Sequence, residues 1–147
     1  MKGPASIVSI CIPSDPKQLY LMRRLVQEVS LAHGFPEKEI QRIVLAMDEA
    51  CSNVIRYAYE GDPGGDIVIE AGPTEEGLCF VVIDRGRKPD PDSIQPRSLD
   101  DVQPGGLGTH FIRAVMDQVT YDTSSGPGTR LVLIKKRKST EPEGKGG

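Results

Sequence analysis

The sequence predicts an α+β domain in which helices pack against antiparallel hairpins, and three observations carry that expectation. Two long segments in the first half repeat apolar residues at helical spacing. Two pairs of apolar, strand-like segments are each joined across a glycine- and proline-bearing turn. One of those segments, Leu78-Cys79-Phe80-Val81-Val82-Ile83, is apolar without a break, which suits a strand at the centre of a sheet.

In chain order, Ser6 to Ile12 alternates as a strand, and Pro13-Ser14-Asp15-Pro16 stops it with helix-cap chemistry. A first helix is expected from Lys17 to about Ala32, with Leu21, Leu25, Val29 and Ala32 inward and Arg23, Arg24, Gln27 and Glu28 outward, ended by Gly34. A second is expected from Pro36 to about Tyr57, where Glu37 and Glu39 complement the dipole of the first turn. Asp66 to Ala71 and Leu78 to Asp84 then form a hairpin across residues 72–77. Arg85 to Pro104 has no period and is rich in Pro, Asp and Arg, the composition of a lid or of a tolerated surface insertion. Gly105-Gly106-Leu107-Gly108 leads into a short helix from Thr109 to Met116, and Val119–Thr123 with Thr129–Lys135 closes the domain as a last hairpin.

Length and composition bound the function. At 147 residues and 16.0 kDa the chain fits one domain, residues 1–137, with 138–147 expected as a disordered tail. A pI near 5.4, a net charge of -3 and scattered basic residues argue against nucleic acid as a ligand. Cys11, Cys51 and Cys79 have neither a pairable nor a metal-ligand pattern, and all lie in apolar segments, which points to buried thiols in a reducing, cytoplasmic compartment. No apolar run approaches the roughly 20 residues that cross a bilayer, so no membrane partner is expected.

The second helix is where chemistry enters. At about 100° per residue, Ile40, Ile43, Val44, Met47, Ala50, Cys51, Val54, Ile55 and Ala58 cover a wide core side. Arg42, Glu49, Asn53 and Arg56 gather on the opposite stripe within roughly 60°. Taken alone such a stripe equally suits a solvated face with i,i+4 pairs. Asp48 points away from it and is not paired with Glu49. Asp84 stands where the central strand leaves the core, and the glycine run before the third helix offers free N–H groups, an arrangement that suits an anion but is weak evidence by itself.

Order and spacing are more specific than any piece. Glu49-Ala50-Cys51-Ser52-Asn53, Asp84-Arg85-Gly86, Gly105-Gly106-Leu107-Gly108-Thr109 and Gly128-Thr129 resemble the four nucleotide-binding boxes of the GHKL ATPase superfamily, and the chain looks like its anti-sigma factor serine/threonine kinase branch from about Ile7 to Lys136. The resemblance implies a Bergerat, histidine-kinase-like fold: a two-layer α/β sandwich with a mixed, mostly antiparallel sheet and helices on one face. It implies ATP and Mg²⁺ as ligands. Asn53 matches the metal-ligating amide, Glu49 the general base and Asp84 the adenine reader, with Gly86 beside it. Gly105, Gly106, Leu107, Gly108 and Thr109 match the phosphate loop, and Thr129 the residue that helps hold the base. The family's first glycine box often carries a second glycine where this chain has Lys88, which puts lid geometry in question. Arg85, Arg87, Lys88 and Arg97 either reach phosphates or keep the lid soluble. His110 is a candidate phosphate contact or a solvent-facing or capping histidine.

The partners implied are a sigma factor or analogous target, an anti-sigma-factor antagonist phosphorylated on Ser or Thr, and a second copy of the chain, with Arg23 and the exposed side of the first helix as the contact surface. Two other readings stay open: a nucleotide-gated binding module without kinase activity, and a histidine-kinase catalytic core, against which stands the lack of an upstream helical hairpin with a phosphoacceptor histidine.

Overall fold

The computed structural model of the protein describes residues 7–89 and 106–138, with backbone only for 106–108. Five strands, β1 (Val8–Pro13), β2 (Asp66–Pro73), β3 (Gly77–Asp84), β4 (Gln118–Asp122) and β5 (Arg130–Lys136), form one sheet in the order β1-β2-β3-β5-β4. All four pairings are antiparallel, so the described sheet has no parallel member. The apolar strand β3 is central, as its composition predicts. Leu78, Phe80 and Val82 share one buried cluster with residues of all three helices, whereas Cys79, Val81, Val132 and Ile134 form a second cluster. That division follows from the two-residue period of a strand and puts the helices on one face.

Helices α1 (Leu19–Ala32) and α2 (Glu37–Asn53) pack on that face with α3 (Gly106–Val115). Asp15 accepts from the Lys17 N–H at 3.0 Å and starts a 3-10 turn at Pro16–Gln18 that runs into α1. The inward face of α1 differs from the expected stripe. Leu19, Met22, Val26, Val29 and Ser30 are buried, whereas Leu21 and Ala32 are exposed and Leu25 is half-buried. The four consecutive apolar residues Leu19-Tyr20-Leu21-Met22 allow two helical phases one residue apart, and packing selects the other one. Cys51 and Cys79 are buried as expected, but Cys11 is exposed because Ile10 and Ile12, of opposite parity on β1, take the inward side.

Strand β5 is tied to the helical layer by a charge pair with little exposure. Lys135 Nζ lies 3.1 Å from Glu39 Oε1 and donates to the Val115 carbonyl at 2.8 Å, with side-chain exposures of 12% for Lys135 and 15% for Glu39. Its hydrogen bond from Lys135 holds the Glu39 carboxyl below the ordinary carboxylate range against the opposing effect of burial. A depressed value means stability that is present above the unfolded-chain pKa and lost as pH falls through the folded one. Glu39→Gln is expected to lower stability by about 1–3 kcal/mol at neutral pH, since it leaves Lys135 charged without its partner. Thermal melts at neutral and acidic pH check this: the gap between variant and wild type closes in acid, and a gap independent of pH counts against the pair.

Candidate functional site

Helix α2 ends at Asn53, four residues short of the expected Tyr57, and the chain widens into a π-helical turn over Val54–Ala58. There the Tyr59 N–H reaches the Val54 carbonyl at 3.0 Å, five residues back. Such turns concentrate at functional positions. On the stripe facing away from the core, Arg56 Nη2 donates to Asn53 Oδ1 at 2.8 Å and to Glu49 Oε2 at 3.3 Å. Arg56 thus contacts two of the other three stripe residues, and the amide oxygen of Asn53 already faces a cation. Asp48 takes the other side, accepting from Arg23 Nη1 at 2.7 Å and tying α1 to α2. Arg23 remains 41% exposed in its side chain. Cys51 points inward, and burial, with the Asp48 charge added, pushes its thiol up to about 12, so it is neutral and no nucleophile.

At the end of β3, Asp84 is only 5% exposed. Its Oδ1 accepts from the Gly86 N–H at 2.9 Å. Burial raises the carboxyl above its ordinary value, opposed by the Gly86 and Thr129 backbone donors. Asp84 and Thr129 exchange backbone hydrogen bonds of 3.0 and 3.2 Å, which aligns the two residues. Thr129 is 7% exposed, and its hydroxyl is buried without a partner among the described residues. A buried hydroxyl in that state carries a desolvation cost that a ligand or water would relieve. Two glycines keep the backbone close here: a Cβ on Gly128 would lie 2.0 Å from the Asp84 carbonyl oxygen, and one on Gly86 would lie 2.4 Å from that of Ala58.

Helix α3 begins at Gly106, not at Thr109 as expected, so Gly106, Leu107 and Gly108 form its first turn and present the free N–H groups themselves. Glycines compatible with helical angles need no separate loop, and the apolar period alone could not show this. Thr109 is buried and shares a side-chain hydrogen bond with Tyr121. His110 is half-buried. Gly105 and Arg97 lie outside the described residues. Of the other lid cations, Arg85 pairs with Asp66 at 3.1 Å, Arg87 with Glu60 at 3.0 Å, and the Lys88 ammonium donates to the Thr123 carbonyl.

Sequence reasoning missed the link between the two halves of the site. The Ala58 carbonyl accepts from the Arg87 N–H at 2.7 Å, and the Tyr59 hydroxyl accepts from the Arg85 N–H at 2.8 Å while donating to the Asp66 carbonyl at 2.6 Å. The chain just past Asn53 is thereby fastened to the turn just past Asp84. The only signal for it was two tyrosines after the Asn53 turn, which helical spacing does not distinguish from packing.

The arrangement suits a purine and a triphosphate. A largely buried carboxylate and an unpartnered hydroxyl fit an exocyclic amine and its neighbouring ring atoms, and the N-terminus of α3 fits anionic oxygens. Among the described residues no three His, Cys, Asp or Glu side chains gather to hold a metal. A magnesium ion at the Asn53 oxygen would take its remaining ligands from phosphate and water, as that ion commonly does. No described helix is long and apolar enough to cross a membrane.

The family described as histidine kinase-like ATPase domain matches residues 12–135. The serine-protein kinase RsbW of Bacillus subtilis is 29% identical over 86% of this chain and 84% of its own length. That of Halalkalibacterium halodurans is 27% identical over 81% of this chain and 77% of its own. Among solved structures, a chain comprising the RsbU and RsbW domains of a Mycobacterium tuberculosis protein superposes with a TM-score of 0.64 at 21% identity, covering 90% of this chain and 33% of that one. The ATP-binding domain of PrrB from the same organism gives 0.52 at 16% identity, covering 89% and 98%. Both likenesses bear out the expected α+β fold.

Proposed function

The chain belongs to the histidine kinase-like ATPase domain family, and from that premise we propose that it is an ATP-dependent serine/threonine protein kinase and anti-sigma factor. It sequesters a sigma factor or an analogous target and phosphorylates a Ser or Thr of an antagonist of that sequestration. The observation that carries the reading is the pairing of a purine-reading end with a phosphate end. At the first, buried Asp84 is paired through its backbone with Thr129, whose hydroxyl has no partner among the described residues; at the second, Glu49 and Asn53 stand one helical turn apart under a shared guanidinium.

In this reading Asp84 accepts from the exocyclic amine of adenine. Guanine would oppose the carboxylate with an acceptor oxygen of its own, so the same group excludes GTP. Gly106, Leu107, Gly108 and Thr109 cradle the phosphates with N–H groups of the first α3 turn, and His110 lies next along the same turn. Asn53 would hold a bound Mg²⁺, whose charge would offset that of the phosphates, and the Arg56 guanidinium at its amide oxygen marks the place a cation prefers. Glu49 orients the attacking hydroxyl of the protein substrate and accepts its proton, while the remaining rate gain comes from positioning. The exposed side of α1, with Arg23, forms the partner surface, and the active assembly is a homodimer.

Calorimetric titration of the full chain with ATP and Mg²⁺ tests the site, and transfer of labelled γ-phosphate to a purified antagonist tests the reaction. Heat of binding together with label on Ser or Thr is expected. Binding without transfer leaves a nucleotide-gated module, and absence of binding overturns the site.

A further inference from the structure

The antiparallel register of β2 and β3 pairs Ile67 with Asp84, so the next rung outward would set Asp66 against Arg85. The hydroxyl of Tyr59 stands in that rung. It accepts from the Arg85 N–H at 2.8 Å and donates to the Asp66 carbonyl at 2.6 Å, so the two strands are bridged at this level through a side chain. The Asp66 and Arg85 side chains are also paired at 3.1 Å, an exposed contact that adds little to the spacing. The tyrosine ring is partly buried against the core, and Gly65 leaves it room: a Cβ there would sit 2.4 Å from the ring.

We propose that Tyr59 is a positioning residue for base recognition: by spacing β2 from β3 at their open end, it sets where the carboxylate of Asp84 points, and with it the fit to the adenine edge. This deepens the reading of Asp84 given above and rests on it. Two further contacts, and the chain adjacency of Ala58 and Tyr59, fix the same place. Gly86 N–H holds Asp84 Oδ1, the Arg87 N–H is held by the Ala58 carbonyl, and Ala58 immediately precedes Tyr59. Removal of the hydroxyl leaves the Arg85 N–H and the Asp66 carbonyl to close on one another, which moves the residue directly before Arg85, or to take water, which releases the spacing that held it. Among the described residues, the phosphate end on α2 and α3 has no bond to that hydroxyl.

The experiment compares Tyr59→Phe with the wild-type full chain by calorimetry, using two probes with Mg²⁺: ATP, which engages both ends, and inorganic tripolyphosphate, which engages only the second. The variant is expected to bind ATP about five- to tenfold more weakly, the worth of one lost or orphaned hydrogen bond. Tripolyphosphate affinity is expected to stay within about twofold and ATP-over-GTP preference to shrink. Arg85→Ala keeps the backbone N–H, so its ATP affinity is expected to match wild type. A general loosening of the fold would weaken both probes alike, and that result, or an unchanged ATP affinity in Tyr59→Phe, overturns the inference. Should Tyr59→Phe not fold, Tyr59→His at the same position is compared in the same way, with the same split between probes required. Failure of the wild type itself to bind ATP sinks the underlying reading, whereas binding by wild type with no split in the variants sinks only the role of Tyr59.

Discussion

Glu49→Gln is expected to bind ATP and Mg²⁺ as wild type does and to transfer phosphate about 10²- to 10⁴-fold more slowly, the range for loss of a positioned general base. The substitution is nearly isosteric. The Gln oxygen can still accept from Arg56, and that contact is half exposed, so little stability is at stake. Asn53 keeps its own bond to Arg56 at 2.8 Å and hence its orientation. The two measurements must therefore separate: nucleotide titration unchanged, labelled transfer nearly abolished. Transfer at the wild-type rate would remove Glu49 from the mechanism, and joint loss of both would make it a binding residue instead.

Asp84→Asn is expected to lose about tenfold to a hundredfold in ATP affinity, the worth of a hydrogen bond to a charged acceptor. The Gly86 N–H can still bond to the amide oxygen, which leaves the amide NH₂ facing the donor edge of adenine. Stability moves the other way. Burial raises the Asp84 carboxyl, so the folded state favours its protonated form. That contribution is fully present below the unfolded-chain pKa and is lost as pH rises through the raised folded value. Asn carries no such penalty, and the ligand-free variant should melt higher than wild type at neutral pH, with the difference vanishing in acid. Calorimetry and melting curves on the same preparations check both halves. A variant that binds ATP normally removes Asp84 as the base reader, and one that melts lower at neutral pH contradicts the cost assigned to its burial.

Much of this was legible in the residues, unevenly so. The stripe of Glu49, Asn53 and Arg56 followed from 100° arithmetic because α2 has few apolar residues on its outer face. The central place of β3 followed from its unbroken apolar run. The phase of α1 did not, since Leu19-Tyr20-Leu21-Met22 supports two faces and only packing against the sheet decides. The π-helical turn was illegible for a different reason: Val54–Ala58 holds no glycine or proline to break an ordinary helix, and the wider turn is fixed by where Ala58 and Tyr59 must meet the β3 exit. The approach of Gly128 to Asp84, likewise, is a property of the β3–β5 register and not of either local segment. Motif order could say that these residues belong together; it could not say which atoms touch.

The joint at the purine end takes all three of its donors from the main chain: the Arg87 N–H gives to the Ala58 carbonyl, the Arg85 N–H to the Tyr59 hydroxyl and the Gly86 N–H to the Asp84 carboxylate. Side chains at 85 and 87 can thus be exchanged freely by mutation without disturbing it, save for proline, which lacks the hydrogen each position must give. Position 86 admits nothing larger than hydrogen while the Ala58 oxygen stays where it is. Drift in the lettering of this turn and constancy of its shape are therefore compatible, and an engineer wishing to retune the lid has two free sites beside one closed to every methyl group.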